Sequence, residues 1–282
     1  MNAPEYGAAS AGVRLGRLPK KSNLKALMAS DFLTFPPPPP ATHFFDRRAA
    51  FAPRTFGNTT YGDCTRAKQA NAIRRMERIE VRRTSSITDE EVIRVYQEMS
   101  ERRYGGGDNG AFEVDALDDW RNPATTIRDV QGRALTIDAY VALNASDQNQ
   151  LRGAMAAAKA HGIAICLNLP RAFAAIPADQ PWDIPDATPL VGDWLPGSWG
   201  GHSMWTFEYD HDPATDRGLL LEHTWDRPPQ WLTWRAAAAY LDEAHLVIDS
   251  VDYWRTAKLL PSHDLDRLTE AVNDVSAVKI PW

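Results

Sequence analysis

The stretch FGNTTYGDC, residues 56–64, sets a cysteine directly behind a glycine, an aspartate and a run of small polar residues. No proline or glycine follows Cys64 until Gly105, and Ala67, Ala70 and Ile73 recur at helical spacing, so a helix is expected to begin at or near the cysteine. A thiol in that position meets unpaired backbone N–H groups and the positive end of the helix dipole. With a protonated histidine nearby, such a setting draws its pKa from about 8.5 to roughly 3.5–7.5, which is the condition of a nucleophile. Without such a partner, Cys64 reads as a small apolar side chain to be buried, the usual fate of a free cysteine. Cys166 has the opposite setting, because it lies inside the apolar, strand-like run IAICLNL where burial raises the pKa and leaves the thiol inert.

The candidate base is His202 in GSWGGHSMWTFEYD. Gly200 and Gly201 permit close backbone approach just before a strand whose alternate residues read as buried, which puts the imidazole at a strand start beside a cleft. Taken alone it is also an ordinary core or turn histidine, and six other histidines compete for the role. A metal site can be assembled on paper from Cys64, His202 and His223, but nothing in their spacing calls for one; no metal and no cofactor is expected.

These residues need elements to hold them. The first 42 residues are rich in Ala, Gly and Pro and include five consecutive prolines, Pro36 to Pro40, which favour an extended polyproline arm. Thr88 followed by Glu91 marks a capping box at the start of a second helix. YGGGDNG reads as a loop, AFEVDALDDWRN as a short helix, and SDQNQLRGAMAAAKAHG as a helix capped by Ser146 or Asp147 and stopped by Gly162. Later, GIAICLNLP, HSMWTFEYD and GLLLEHTW are short apolar runs bounded by Gly, Pro or Asp, the signature of buried antiparallel strands. Helices first and strands later argue for an α+β arrangement of two segregated lobes.

In that order the motifs resemble the papain-like cysteine peptidases, in the short form found in bacterial and phage sequences with GDC at the nucleophile. FFDRRAAFAPRTFGNTTYGDC resembles the family's mature start, with Asp46 and Arg47 in its D-W-R region and Asn58 six residues before Cys64, where the family carries an oxyanion-hole Gln. GGHSMWTFEYD resembles its histidine strand, and LLLEHTWDRPPQWLTW the strand of its N-S-W-G motif, with Trp225 matching the tryptophan and His223 standing where the family has the orienting Asn. Thr65 follows the cysteine in place of a bulky aromatic. The resemblance spans roughly residues 43–250. It implies a papain-like two-lobed fold, with an N-terminal helical lobe built on a central Cys-bearing helix and a C-terminal antiparallel β lobe. The implied organisation is an arm at 1–42, a papain-like domain at 43–255 (helical lobe about 60–160, β lobe about 161–255) and a C-terminal extension at 256–282. The implied chemistry is hydrolysis of a peptide or amide bond by Cys64, His202 and Asn58, with His223 in the place of the third member and a peptide or protein as partner. Glu222, Thr224 and Asp226 are neighbours able to orient His202, although strand alternation points Glu222 and Thr224 away from the face of His223.

Composition narrows the classes. With 282 residues, 44% apolar content, 24% charged residues and a net charge of −6, the chain is ordinary for a globular protein and lacks the basicity that drives phosphate-backbone binding. Nucleic acid is not an expected partner; the cationic run at 66–83 reads as a solvated helix face. Two cysteines fit a reduced compartment, and neither a leader-like apolar run nor about 18 consecutive apolar residues is present, so a cytoplasmic location without membrane association is expected, with a virion-associated role left open. Three functions stay open on the residues: a thiol hydrolase, a catalytically inactive papain-like fold used for binding or structure, and a transglutaminase-type acyl transferase. The ten tryptophans fit either a core between lobes or a substrate groove.

Overall fold

The structure is a computed structural model describing residues 13–21, 27–41, 52–82, 84–215 and 217–277. Asp46 and Arg47 lie outside the described residues. A short helix α1 (Ala29–Phe32) is followed by α2 (Cys64–Glu80), α3 (Asp89–Tyr104) and α4 (Glu113–Arg121). Strand β1 (Ala139–Leu143) and α5 (Gln148–Ala158) lead into β2 (Ile163–Leu169) and β3 (Gly200–Tyr209). Then come β4 (Leu219–Glu222), β5 (Gln230–Leu232), α6 (Trp234–Tyr240), β6 (Leu241–Ile248), α7 (Val251–Thr256) and α8 (Ser262–Ala277).

The strands form one six-stranded antiparallel sheet in the order β1-β6-β2-β3-β4-β5. The fold is therefore α+β with two lobes. Strand β2 is central and almost wholly buried, which is why its sequence is a continuous apolar run and not an alternating one. Its residues divide between two cores. Ile163, Ile165, Leu167 and Leu169 join one hydrophobic cluster, whereas Ala164 joins another with Ile73, Met76 and Val92 from the helices and Trp205 from β3. Strands β1 and β6 carry no turn signal strong enough to announce them, and β1 pairs with β6 far along the chain.

The caps work as the residue types dictate. Thr88 Oγ1 accepts from the Glu91 N–H at 3.2 Å and Asp147 accepts from the Gln150 N–H at 3.0 Å; α5 itself stops at Ala158, with Lys159 at φ +53°, and Gly162 at φ +76° ends the 3-10 turn 159–161 that follows it.

Helix α2 corrects part of one expectation. Arg78 and Arg82 are exposed, as a solvated face requires, but three of the run's cations are not: Arg66 pairs with Asp119 at 2.6 Å, Lys68 with Glu113, and Arg75 with Glu222, and all six side chains are buried. Positions 64, 68 and 75 fall on one side of a 3.6-residue helix, so the face that carries Cys64 is also the face whose charges dock on the sheet. Glu113 holds Lys68 on one oxygen and accepts from Ser203 Oγ at 2.7 Å on the other, tying α2, α4 and β3 together. Lys68→Met, which leaves that carboxylate buried and unpaired, is expected to destabilise the fold by about 3–5 kcal/mol. Urea unfolding checks this, and Lys68→Met combined with Glu113→Leu should recover part of the loss.

Candidate active site

Cys64 is the first residue of α2, at 17 residues the longest helix among the described elements, and its side chain is fully buried. The backbone N–H groups of Ser203 and Gly16 face its sulfur. Ser203 directly follows His202 on β3, so the helix N-terminus meets the strand beside the imidazole. The His202 ring stacks on Trp225 with centroids 4.0 Å apart and planes 15° from parallel, and the His223 ring lies nearly parallel to the same indole, 11° off at 5.3 Å. Trp182 packs edge-on against His223. Neither ring nitrogen of His202 has a hydrogen-bond partner, so the imidazole is bonded neither to the thiol nor to His223.

The neighbours considered as orienting groups are engaged elsewhere. Glu222 is held by Arg75, and Thr224 Oγ1 donates to Asn58 Oδ1 at 2.6 Å. That second bond fixes the Asn58 amide. The turn that carries it needs left-handed backbone at Phe56 (φ +48°) and Gly57 (φ +96°), and it brings Asn58 Nδ2 to the Tyr61 carbonyl at 3.0 Å. A 3.4 Å contact runs from the same nitrogen to the carbonyl oxygen of Arg14, which also accepts from Trp225 Nε1 at 3.0 Å. The donor of Asn58 and the indole N–H thus converge on one backbone carbonyl.

That carbonyl belongs to the chain's own N-terminal segment, VRLGRLPKK at 13–21, which runs through the cleft. Arg17 N–H donates to the Gly201 carbonyl at 3.1 Å, the Ala111 N–H donates to Gly16 at 2.7 Å, and Leu18 N–H donates back to Ala111 at 2.9 Å. The segment is pinned on both walls. Three glycines make the approach possible: a Cβ on Gly16 would stand 1.7 Å from the Gly62 carbonyl oxygen, one on Gly110 2.2 Å from the Gly16 oxygen, and one on Gly201 2.1 Å from the Arg17 oxygen.

Electrostatics follow from this closure. Burial pushes the Cys64 thiol up to about 12, although the N–H groups of Ser203 and Gly16 pull the other way. Burial, followed by repulsion from His223, drives His202 well below its usual value; burial and the charge of Arg227 bring His223 down to about 3. Asp63, immediately before the cysteine, is raised well above the usual carboxylate range, first by burial. The pair is a neutral thiol and a neutral imidazole.

Of the residues singled out from the sequence, Cys64, His202, His223 and Asn58 are gathered at one end of α2, whereas Cys166, paired across from Ser203 in the sheet, is buried with its thiol pushed up by burial. Trp225 is a wall of the site; Trp205 and Trp254 are core. The segment around Gly16 escaped sequence reasoning, since a lone glycine between arginines carries no periodic or motif signal. Also unforeseen is a cluster at the far end of α2, where Glu80, His161 and Asp249 place their ligand atoms within 4.8 Å of one another. Among the described residues no helix is long and apolar enough to cross a membrane.

The two-lobed α+β fold is papain-like. Xylellain, a cysteine protease from Xylella fastidiosa, is similar at TM-score 0.61 and 14% identity, over 85% of this chain and 97% of its own. The Amb a 11 cysteine protease, a ragweed pollen allergen in its proform, gives 0.54 and 14% over 81% and 72%. Digestive procathepsin L2 from Tenebrio molitor larval midgut gives 0.54 and 13% over 85% and 78%. No protein-family model matches the sequence, and no curated protein does.

The depressed histidines make stability depend on pH. His202, His223 and His245, the last lowered by burial to about 4, stay neutral in the fold while the unfolded chain takes up protons below about 6.5. This contribution is therefore complete above that pH and lost as pH falls from about 6.5 toward the folded-state values, about 4 for His245 and about 3 for His223, by up to about 1.4 kcal/mol per pH unit for each histidine. Urea unfolding across this window should show a steeper dependence for the parent than for His223→Asn, which removes one of the three protons.

Proposed function

We propose that the chain is a cysteine-dependent hydrolase of a peptide or amide bond, held closed in this structure by its own residues 14–18. The observation that carries this reading is the junction of the α2 N-terminus with β3: Cys64 faces the backbone beside His202, and Asn58 presents an oriented amide on the same side. When the segment leaves, water and substrate enter and the burial that holds the proton on sulfur is relieved. The proton then passes to His202, and the Cys64 thiolate attacks the acyl carbon. Asn58 Nδ2 and the Cys64 N–H stabilise the tetrahedral oxyanion, His202 protonates the leaving amine, and water activated by His202 hydrolyses the thioester. Trp225 limits ring motion by stacking. By the sequence resemblance His223 takes the position of the orienting acceptor, so His223→Asn, which supplies an amide oxygen there, should retain or raise activity.

Two measurements test the reading on the full chain. Gly16→Ala forces the segment off Gly62, and iodoacetamide should then alkylate Cys64 at least ten times faster than in the parent, with Cys166 unlabelled until denaturant is added. Hydrolysis of an unstructured protein substrate by Gly16→Ala should fall at least 10²-fold on adding His202→Ala, the scale of general acid–base catalysis. A reactive Cys64 with no turnover would favour the acyl-transferase reading; a Cys64 that stays unreactive after the segment is displaced would favour the catalytically inactive one.

A further inference from the structure

The side chain of Arg17 is fully buried, and it is buried among acids. Its Nη1 donates to Asn168 Oδ1 at 3.1 Å, and its Nη2 meets Asp242 Oδ2 at 2.7 Å and pairs with Glu243. Asn168 Nδ2 in turn donates to Asp242 Oδ2 at 3.0 Å, so these two acceptors hold each other as well as the guanidinium.

Two consecutive residues of a strand ordinarily point to opposite faces. Here they converge because β6 is irregular where it meets β2. Cys166 lies opposite Glu243 and Leu167 opposite Leu241, leaving Asp242 as the extra residue of a β-bulge. The bulge turns both carboxylates toward one pocket. Asp242 stands at its rim, 23% exposed, and Glu243 at its base, 4% exposed. Gly201, next to His202, forms a wall without a side chain: a Cβ there would come within 3.2 Å of Arg17 Cδ. A buried Glu243 beside Asp242 with no cation between them would leave two carboxylates poorly solvated, so the pocket is built to be filled by a cation. A planar guanidinium fits the two-sided arrangement of Asn168 against Asp242 and Glu243 better than a point-like ammonium. The occupant's backbone is held by the Gly201 carbonyl one residue from the Gly16 N–H at the Cys64 sulfur, so the pocket lies one residue from the reacting thiol.

We propose that the pocket of Asn168, Asp242 and Glu243 is a specificity site for the arginine side chain of a peptide ligand, which Arg17 fills in the closed chain. Its role in choosing substrates rests on the hydrolase reading above; its ability to select arginine does not. Arginine-bearing peptides and residues 13–21 are then competitors for one site.

The test uses binding, which needs no turnover. A fluorescein-labelled nonapeptide VRLGRLPKK and its counterpart with leucine in place of the second arginine are titrated into the full-length Arg17→Ala protein, with anisotropy as the readout. The arginine peptide should bind at least tenfold more tightly, and adding Asp242→Asn with Glu243→Gln should bring the ratio below about threefold. Equal binding of the two peptides, no binding of either to a folded variant, or a preference that survives neutralisation of both carboxylates would overturn the proposal. Should Arg17→Ala not fold, Arg17→Met keeps the aliphatic stem and permits the same comparison. Selective binding without hydrolysis of any arginyl peptide would leave the pocket standing and remove only the hydrolase reading.

Discussion

The site depends on one contact, the N-terminus of a helix pressed against the backbone of a strand. Helix α2 cannot slide or rotate there, because Lys68, one turn below Cys64 on the same face, is paired with Glu113, and Glu113 also holds the Ser203 hydroxyl. Arg75 repeats the arrangement two turns further on through Glu222 at the end of β4. Buried charges of this kind contribute little net stability compared with well-packed apolar residues, but a displaced partner is costly. They therefore define the register of helix on sheet. Cys64, His202 and the amide of Asn58 inherit their mutual position from that register.

Position alone does not decide reactivity. The helix dipole favours a thiolate by roughly 0.3–2 kcal/mol, whereas each pKa unit corresponds to about 1.4 kcal/mol, and a thiol at about 12 has been displaced by more than the dipole restores. Burial wins while the cleft is filled. The same exclusion of water keeps His202 and His223 neutral, so the thiol and the ring lack the opposite charges that would draw them into an ion pair. The filled cleft and the unpaired imidazole are one fact seen from two residues.

Much of this was legible in the chain. The helix at Cys64, the Thr88 and Asp147 caps and the apolar strands at 163–169 and 200–209 follow from local rules, namely capping chemistry, periodicity and glycine stops. The burial of Arg66, Lys68 and Arg75 was not, because cationic residues on a helix look alike whether they face water or a carboxylate from another part of the chain. Strand β1 was missed for a related reason: five residues of modest apolarity become a strand only when β6 supplies the partner. Residues 13–21 carry an ordinary polar pattern, and their place in the cleft depends on Gly110 and Gly201, two glycines far away in sequence whose missing side chains matter only once the two walls are together. Asp242 and Glu243 likewise look like neighbouring strand residues on opposite faces until the bulge is seen.

Residues 13–21 share a covalent chain with the cleft they fill, and this determines how the closed state responds to its surroundings. An intramolecular occupant acts at an effective concentration that, for short tethers, is of millimolar order and set by the tether alone. Dilution does not loosen it, and raising the protein concentration does not tighten it. A soluble competitor gains entry only at comparable local abundance or through a much better fit, so weak encounters with abundant peptides leave the cleft shut. Cutting the tether converts the same contacts into an ordinary bimolecular equilibrium, in which the freed segment is diluted away; a single break in the backbone therefore changes occupancy by orders of magnitude without altering any atom of the cleft.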